Sequence, residues 1–84
     1  MPYVVEIAPR AERSFKRLPR KMQIRLGSRI DALVQNPRPH GVTKLSGSVN
    51  RYRVRDGDYR IIYEIDDDTL SVMVLKVAHR SNAY

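Results

Sequence analysis

The stretch Arg51-Tyr52-Arg53-Val54-Arg55-Asp56-Gly57-Asp58-Tyr59-Arg60-Ile61-Ile62-Tyr63-Glu64-Ile65 decides the fold. Charged and apolar residues alternate over 51–55, the period of a strand with one face covered and one open. Asp56-Gly57 is a strong two-residue hairpin signal, because glycine accepts the positive φ such turns need. Asp58 to Ile65 continues as the partner strand. Alternation sets Arg51, Arg53 and Arg55 on one face and Tyr52 and Val54 on the other. The partner strand divides into Tyr59, Ile61, Tyr63 and Ile65 against Arg60, Ile62 and Glu64.

Beyond this hairpin, Asp66-Asp67-Asp68 reads as the next turn. Leu70 to Val77 is apolar on both faces, as expected of a central strand. In the other direction the period changes to that of a helix. Met22, Leu26, Ile30 and Leu33 recur at i, i+4, i+8 and i+11, and Asn36-Pro37 closes the stripe. Ala8, Ala11, Phe15 and Leu18 form a second, shorter helical stripe that starts at Pro9 and is ended by Pro19. Two helices joined by so short a turn form an antiparallel hairpin. Tyr3 to Ile7 is a short opening strand. The expected fold class is α+β: an N-terminal strand, a helical hairpin, then a three-stranded antiparallel meander, all in one small sheet (β-α-α-β-β-β).

The 84 residues allow one domain, expected to span 1–84. A chain this short buries perhaps ~60–65% of its unfolded surface, so its core is thin. Mean hydropathy is −0.50, and no apolar run approaches the ~18 residues of a membrane span. The opening Met1-Pro2-Tyr3-Val4-Val5-Glu6 carries no secretory signal, and a cytoplasmic protein without membrane association is expected. There is no cysteine, and neither His40 nor His79 has a carboxylate at helical spacing, so neither a metal site nor a cofactor is expected.

Charge is the positive signal. Sixteen Lys and Arg stand against nine Asp and Glu, a formal +7, which points to a polyanionic partner or an acidic protein. Lys21, Arg25 and Arg29 run at i, i+4 and i+8 beside the apolar stripe, either to meet nucleic-acid phosphates or as an ordinary solvated helix face. The row Arg51, Arg53 and Arg55 comes across the hairpin from Arg60. Like charges on neighbouring strands destabilise a sheet unless an anion neutralises them. A solvated edge that discourages aggregation is the plainer alternative, but Arg60 lies among apolar residues, where a merely solubilising charge is less expected. The chain then ends His79-Arg80-Ser81-Asn82-Ala83-Tyr84. Together these groups match what RNA cleavage without metal requires: removal of a 2′-hydroxyl proton, neutralisation of the phosphorane, and protonation of the departing 5′-oxygen. Arginine forks fit phosphate oxygens, and an aromatic ring stacks on a splayed base.

Lys44-Leu45-Ser46-Gly47, Tyr52-Arg53-Val54-Arg55, Gly57-Asp58-Tyr59-Arg60-Ile61-Ile62-Tyr63 and Val77-Ala78-His79-Arg80 with Tyr84 resemble the RelE/ParE toxin superfamily, over nearly the whole chain. The resemblance implies a toxin of a type II toxin–antitoxin system. In the RelE branch such a toxin cleaves mRNA in the ribosomal A site. In the ParE branch it inhibits DNA gyrase without a catalytic set. The RelE-type reading implies an acidic RelB-like antitoxin in a hetero-oligomeric complex, and the 70S ribosome with its A-site mRNA as target.

By position, Arg60 matches the arginine that neutralises the scissile phosphate. Arg80 matches one assigned to phosphate stabilisation and leaving-group protonation, and Tyr84 a terminal tyrosine that orients the base. Arg53 and Arg55 stand where the family commonly has lysine, and Lys44 matches a further basic position. The lysine usually proposed as general base is thus an arginine here, and a guanidinium, with a pKa above ~12, does not give up its proton. His79 is the better-matched candidate for that task, imidazole having an ordinary pKa of about 6.5. Lys44 is the second.

Overall fold

The computed structural model describes residues 2–82. Its elements follow in the order β1 (Val4–Ile7), α1 (Pro9–Lys16), α2 (Arg20–Ala32), β2 (Thr43–Lys44), β3 (Arg51–Asp56), β4 (Tyr59–Asp66) and β5 (Ser71–His79), and a single 3-10 turn covers Arg80–Asn82. The five strands form one sheet ordered β1-β5-β4-β3-β2. β5, β4, β3 and β2 pair antiparallel, whereas β1 lies parallel to β5, with Val4 opposite Ser71 and Ile7 opposite Val74. The α+β class and the β-α-α-β-β-β order are as expected. The sheet is mixed rather than purely antiparallel, because the two helices form the crossover that a parallel pair requires. The two-residue strand β2 is an addition that periodicity was too short to reveal.

Both helices cover the same face. Leu26, Ile30 and Leu33 of the α2 stripe are buried with Ala11 of α1 against Tyr52, Val54, Ile61, Tyr63, Ile65, Val72, Val74 and Val77. Pro9 opens α1, where its missing N–H costs nothing. Pro19 caps α2, its carbonyl accepting the amides of Met22 and Gln23. Tyr63, wholly buried, stacks on Tyr52 at 6.2 Å between ring centres and donates its hydroxyl to the Pro37 carbonyl at 2.7 Å. It thereby ties the loop that leaves α2 to the middle of the sheet. At the edge, Arg38 bridges to Asp67 (2.9 Å), which also accepts the Tyr3 hydroxyl (2.7 Å).

The β3–β4 turn falls one residue later than the Asp56-Gly57 signal suggests. Asp56 is the last residue of β3, opposite Tyr59, and Gly57-Asp58 is the two-residue loop. Only Gly57 has positive φ (+59°), the pattern of a turn with glycine at its first central position. β5 carries the second departure from a simple period. Register shifts between Ile62 and Tyr63, which face Lys76 and Val74, so Leu75 is an extra residue in a β-bulge. Val72, Val74 and Val77 consequently share the covered face, and Lys76 turns to the open one.

Candidate functional site

The site is built on the helix-free face of the sheet. On β3, Arg51, Arg53 and Arg55 point away from the helices while Tyr52, Val54 and Asp56 are buried, the division alternation dictates. Arg55 stands directly opposite Arg60 of β4, and Arg53 opposite Ile62. Ile62 is only 8% exposed although it lies outside the helix-covered core, because long side chains flank it in register, Arg53 on one side and Lys76 on the other. Arg60 folds along its own turn, with Nη1 donating to the carbonyls of Gly57 (3.2 Å) and Tyr59 (3.1 Å). Arg51 is engaged by Glu64, Nε to Oε2 2.9 Å. Among the described residues no carboxylate lies within ion-pair distance of Arg55 or Arg60. Two arginines at directly opposed strand positions are thus left to meet an anion from outside.

Arg80 begins the 3-10 turn at the same end of the sheet. Its amide donates to the Asp58 carbonyl (2.6 Å), and its Nε lies 3.9 Å from the exposed Asp58 carboxylate. Arg60 and Arg80 therefore both hang from the β3–β4 turn. His79 is placed differently. It pairs with Tyr59, whereas Arg60 pairs with Ala78, so the imidazole and the arginine row occupy opposite faces. The His79 ring meets Tyr59 edge to face at 5.6 Å and lines a cleft of about 320 Å³ against α1, with Arg10, Arg17 and Leu75. Its Nδ1 accepts the Ser81 amide at 3.3 Å and lies 3.0 Å from the Ser81 hydroxyl, which sets the proton on Nε2. Lys44 is exposed on β2 opposite Tyr52, with Thr43 rather than Lys44 opposite Arg53. Tyr84 lies outside the described residues.

Two of the α2 cations reach the sheet. Arg25 Nη2 and Arg29 Nε (3.0 Å) both donate to the Asp56 carboxylate, which is 5% exposed, although Arg25 and Arg29, like Lys21, remain exposed themselves. Burial pushes the Asp56 carboxyl up, but the hydrogen bonds from Arg25 and Arg29 more than offset this and hold it below its ordinary range. Lys76 is a basic residue of the open face that sequence reading passed over. Counted at strict period two from Val72 and Val74, it falls on the core face. A lysine at that phase was the available sign that a bulge intervenes.

This architecture, a helical hairpin over a mixed sheet with arginines on its open side, is that of a known class of small toxins. A family model described as the ParE toxin of the type II toxin–antitoxin system parDE matches residues 5–84. The chain belongs to the RelE/ParE toxin superfamily of type II toxin–antitoxin systems. It is 33% identical over 84 residues to Toxin RelE of Mycobacterium tuberculosis, covering 99% of this chain and 87% of that one. Among solved structures it resembles the archaeal RelE–RelB complex from Pyrococcus horikoshii, with TM-score 0.85 and 32% identity over 99% of this chain and 100% of that one. It also resembles the RelBE2 toxin–antitoxin complex from M. tuberculosis, with TM-score 0.83 and 28% identity over 95% of this chain and 100% of the other.

Proposed function

We propose that this chain is a ribosome-dependent, metal-independent endoribonuclease that halts translation by cutting mRNA in the A site of the 70S ribosome. The observation that carries this reading is the Arg55–Arg60 pair, two cations at opposed strand positions on an open sheet face, with Arg53 beside them and Arg80 tied by its amide to the adjoining turn. In the proposed reaction the 2′-oxygen attacks the adjacent phosphorus, its proton passes to a base, and the bond to the 5′-oxygen breaks as that oxygen is protonated. The products are a 2′,3′-cyclic phosphate and a 5′-hydroxyl. Arg60 and Arg80 neutralise the charge that builds on the phosphorane. Lys21, Arg25, Arg29, Arg51, Arg53 and Arg55 supply attraction to the RNA backbone. Tyr84 stacks on the substrate base. His79 and Lys44 are the candidates for the base, each acting from beyond the arginine face. The toxin works in the cytoplasm and is neutralised in a hetero-oligomer by an acidic RelB-like antitoxin that covers the arginine face or displaces the tail.

The test is primer-extension mapping of cut sites on translating ribosomes. Cuts should persist in chelator on intact ribosomes, carry a 5′-hydroxyl, and vanish in Arg60→Ala, whose loss of a preorganised charge contact costs a rate factor of ~10²–10³. A 5′-phosphate product overturns the mechanism. In single-turnover cleavage, near-normal His79→Ala activity with a flat pH profile removes the imidazole from it.

One observation favours a second reading, a ParE-like toxin that inhibits DNA gyrase without catalysis. The only described imidazole near the arginines faces the opposite side of the sheet. Inhibition of gyrase supercoiling that survives Arg60→Ala, with no mRNA cuts, decides for that reading.

A further inference from the structure

The β3–β4 turn does more than reverse the chain, for four arginines from three parts of the sequence converge on it. On its covered side, the buried Asp56 carboxylate accepts from Arg25 and Arg29, one turn apart on α2. At its tip, Gly57 leaves the space that Arg25 occupies, since a Cβ there would meet Arg25 Nη2 at 3.2 Å. On its open side, the carbonyls of Gly57 and Tyr59 hold Arg60 Nη1. Past the tip, the Asp58 carbonyl holds the Arg80 amide.

Burial of a carboxylate is costly unless it is fully partnered, and two guanidinium donors from one rigid helix partner this one. A two-residue loop with no such tie twists and frays at the end of its hairpin. Here the ion triad fixes the turn to α2, and the two carbonyls that hold Arg60 are fixed with it. We infer that Asp56, clamped by Arg25 and Arg29, is a positioning residue that orients Arg60 on the open face through the turn. This rests on the reading of Arg60 as the phosphate ligand only for its functional consequence; the orientation itself is a property of the free toxin.

The test uses the full chain with ¹⁵N-labelled arginine and reads hydrogen exchange of the Arg60 guanidinium, assigned by its disappearance in Arg60→Lys. Asp56→Asn should lose at least tenfold of the protection at Arg60 while unfolding remains cooperative. On A-site-programmed ribosomes the same variant should lower the cleavage rate at saturation about tenfold without weakening half-saturation, because orientation rather than attraction is lost and the freed Arg25 and Arg29 can only add attraction. If Asp56→Asn does not fold, Arg25→Gln keeps the Arg29 bond and should show a smaller loss in both readings. Unchanged exchange at Arg60 in a folded variant overturns the inference. If exchange changes but Arg60→Ala still cleaves normally, the positioning stands and the role given to Arg60 in catalysis falls.

Discussion

Two buried polar side chains decide how rigidly the sheet presents its arginines. The Tyr63 hydroxyl is held protonated by burial, which pushes it up and keeps it a donor to the Pro37 carbonyl across the physiological range. Tyr63→Phe removes that donor and strands the carbonyl, so it should cost about 1–3 kcal/mol in urea unfolding. Asp56 gives a pH signature instead. Its folded carboxyl lies below the ordinary value of about 3.9, so the stability it contributes is present above that value and is lost as pH falls through the lower, folded one. Asp56→Asn should therefore be less stable near neutrality and show a flatter decline than the parent below about pH 4. Parallel declines in the two proteins would assign the acid sensitivity elsewhere, for example to Asp67, which the hydrogen bonds from Arg38 and Tyr3 also hold low. In the sequence Asp56 reads as half of a turn signal, and its two cationic partners on α2 are not legible there. Alternation alone puts Asp56 on the covered face with Tyr52 and Val54, and that phase was the sign of a buried carboxylate in need of cations.

Elements were easier to read than their edges. The stripe of Leu26, Ile30 and Leu33 and the Tyr52/Val54 alternation each repeat several times, so period fixed which side is covered. β2 has two residues, too few for any period, and the parallel docking of β1 is a long-range choice that local pattern does not encode. The bulge at Leu75 is the instructive miss, because it rephases β5 and decides that Lys76 joins the open face while His79 leaves it. It also gives a sharp expectation. Removing one residue from a strand normally flips every side chain beyond the cut. Deleting Leu75 should not, because Val74 opposite Tyr63 and Lys76 opposite Ile62 already alternate once the extra residue is gone. That deletion should fold with cooperative melting, whereas deletion of Met73, two residues earlier and in regular register with Glu64, should not. If the Leu75 deletion is unfolded, the strand needs the bulge for its twist and not merely for its phase.

At the scale of the molecule, +7 is a net figure, and what a polyanion meets depends on which cations the carboxylates already engage. Glu12 faces Lys16, Asp56 faces Arg25 and Arg29, Asp67 faces Arg38, and Glu64 faces Arg51. Arg55 and Arg60 have no such carboxylate among the described residues, and they oppose one another on the face that no helix covers. Binding to single-stranded RNA releases roughly 0.7 counterion per neutralised phosphate, so the slope of log K against log salt counts the cations that engage. Arg55→Ala should therefore lower that slope by about 0.7 when a short labelled RNA is titrated by anisotropy between about 50 and 200 mM salt. Arg51→Ala should lower it by clearly less, since Arg51 must first leave Glu64, and Glu64→Gln should raise affinity by freeing it. These comparisons hold whether the bound RNA is cut or not, which separates attraction from chemistry. Equal slopes for Arg51→Ala and Arg55→Ala would mean that the exposed ion pair opens at no cost, and that the open face presents its whole arginine row rather than the opposed pair at the hairpin's end.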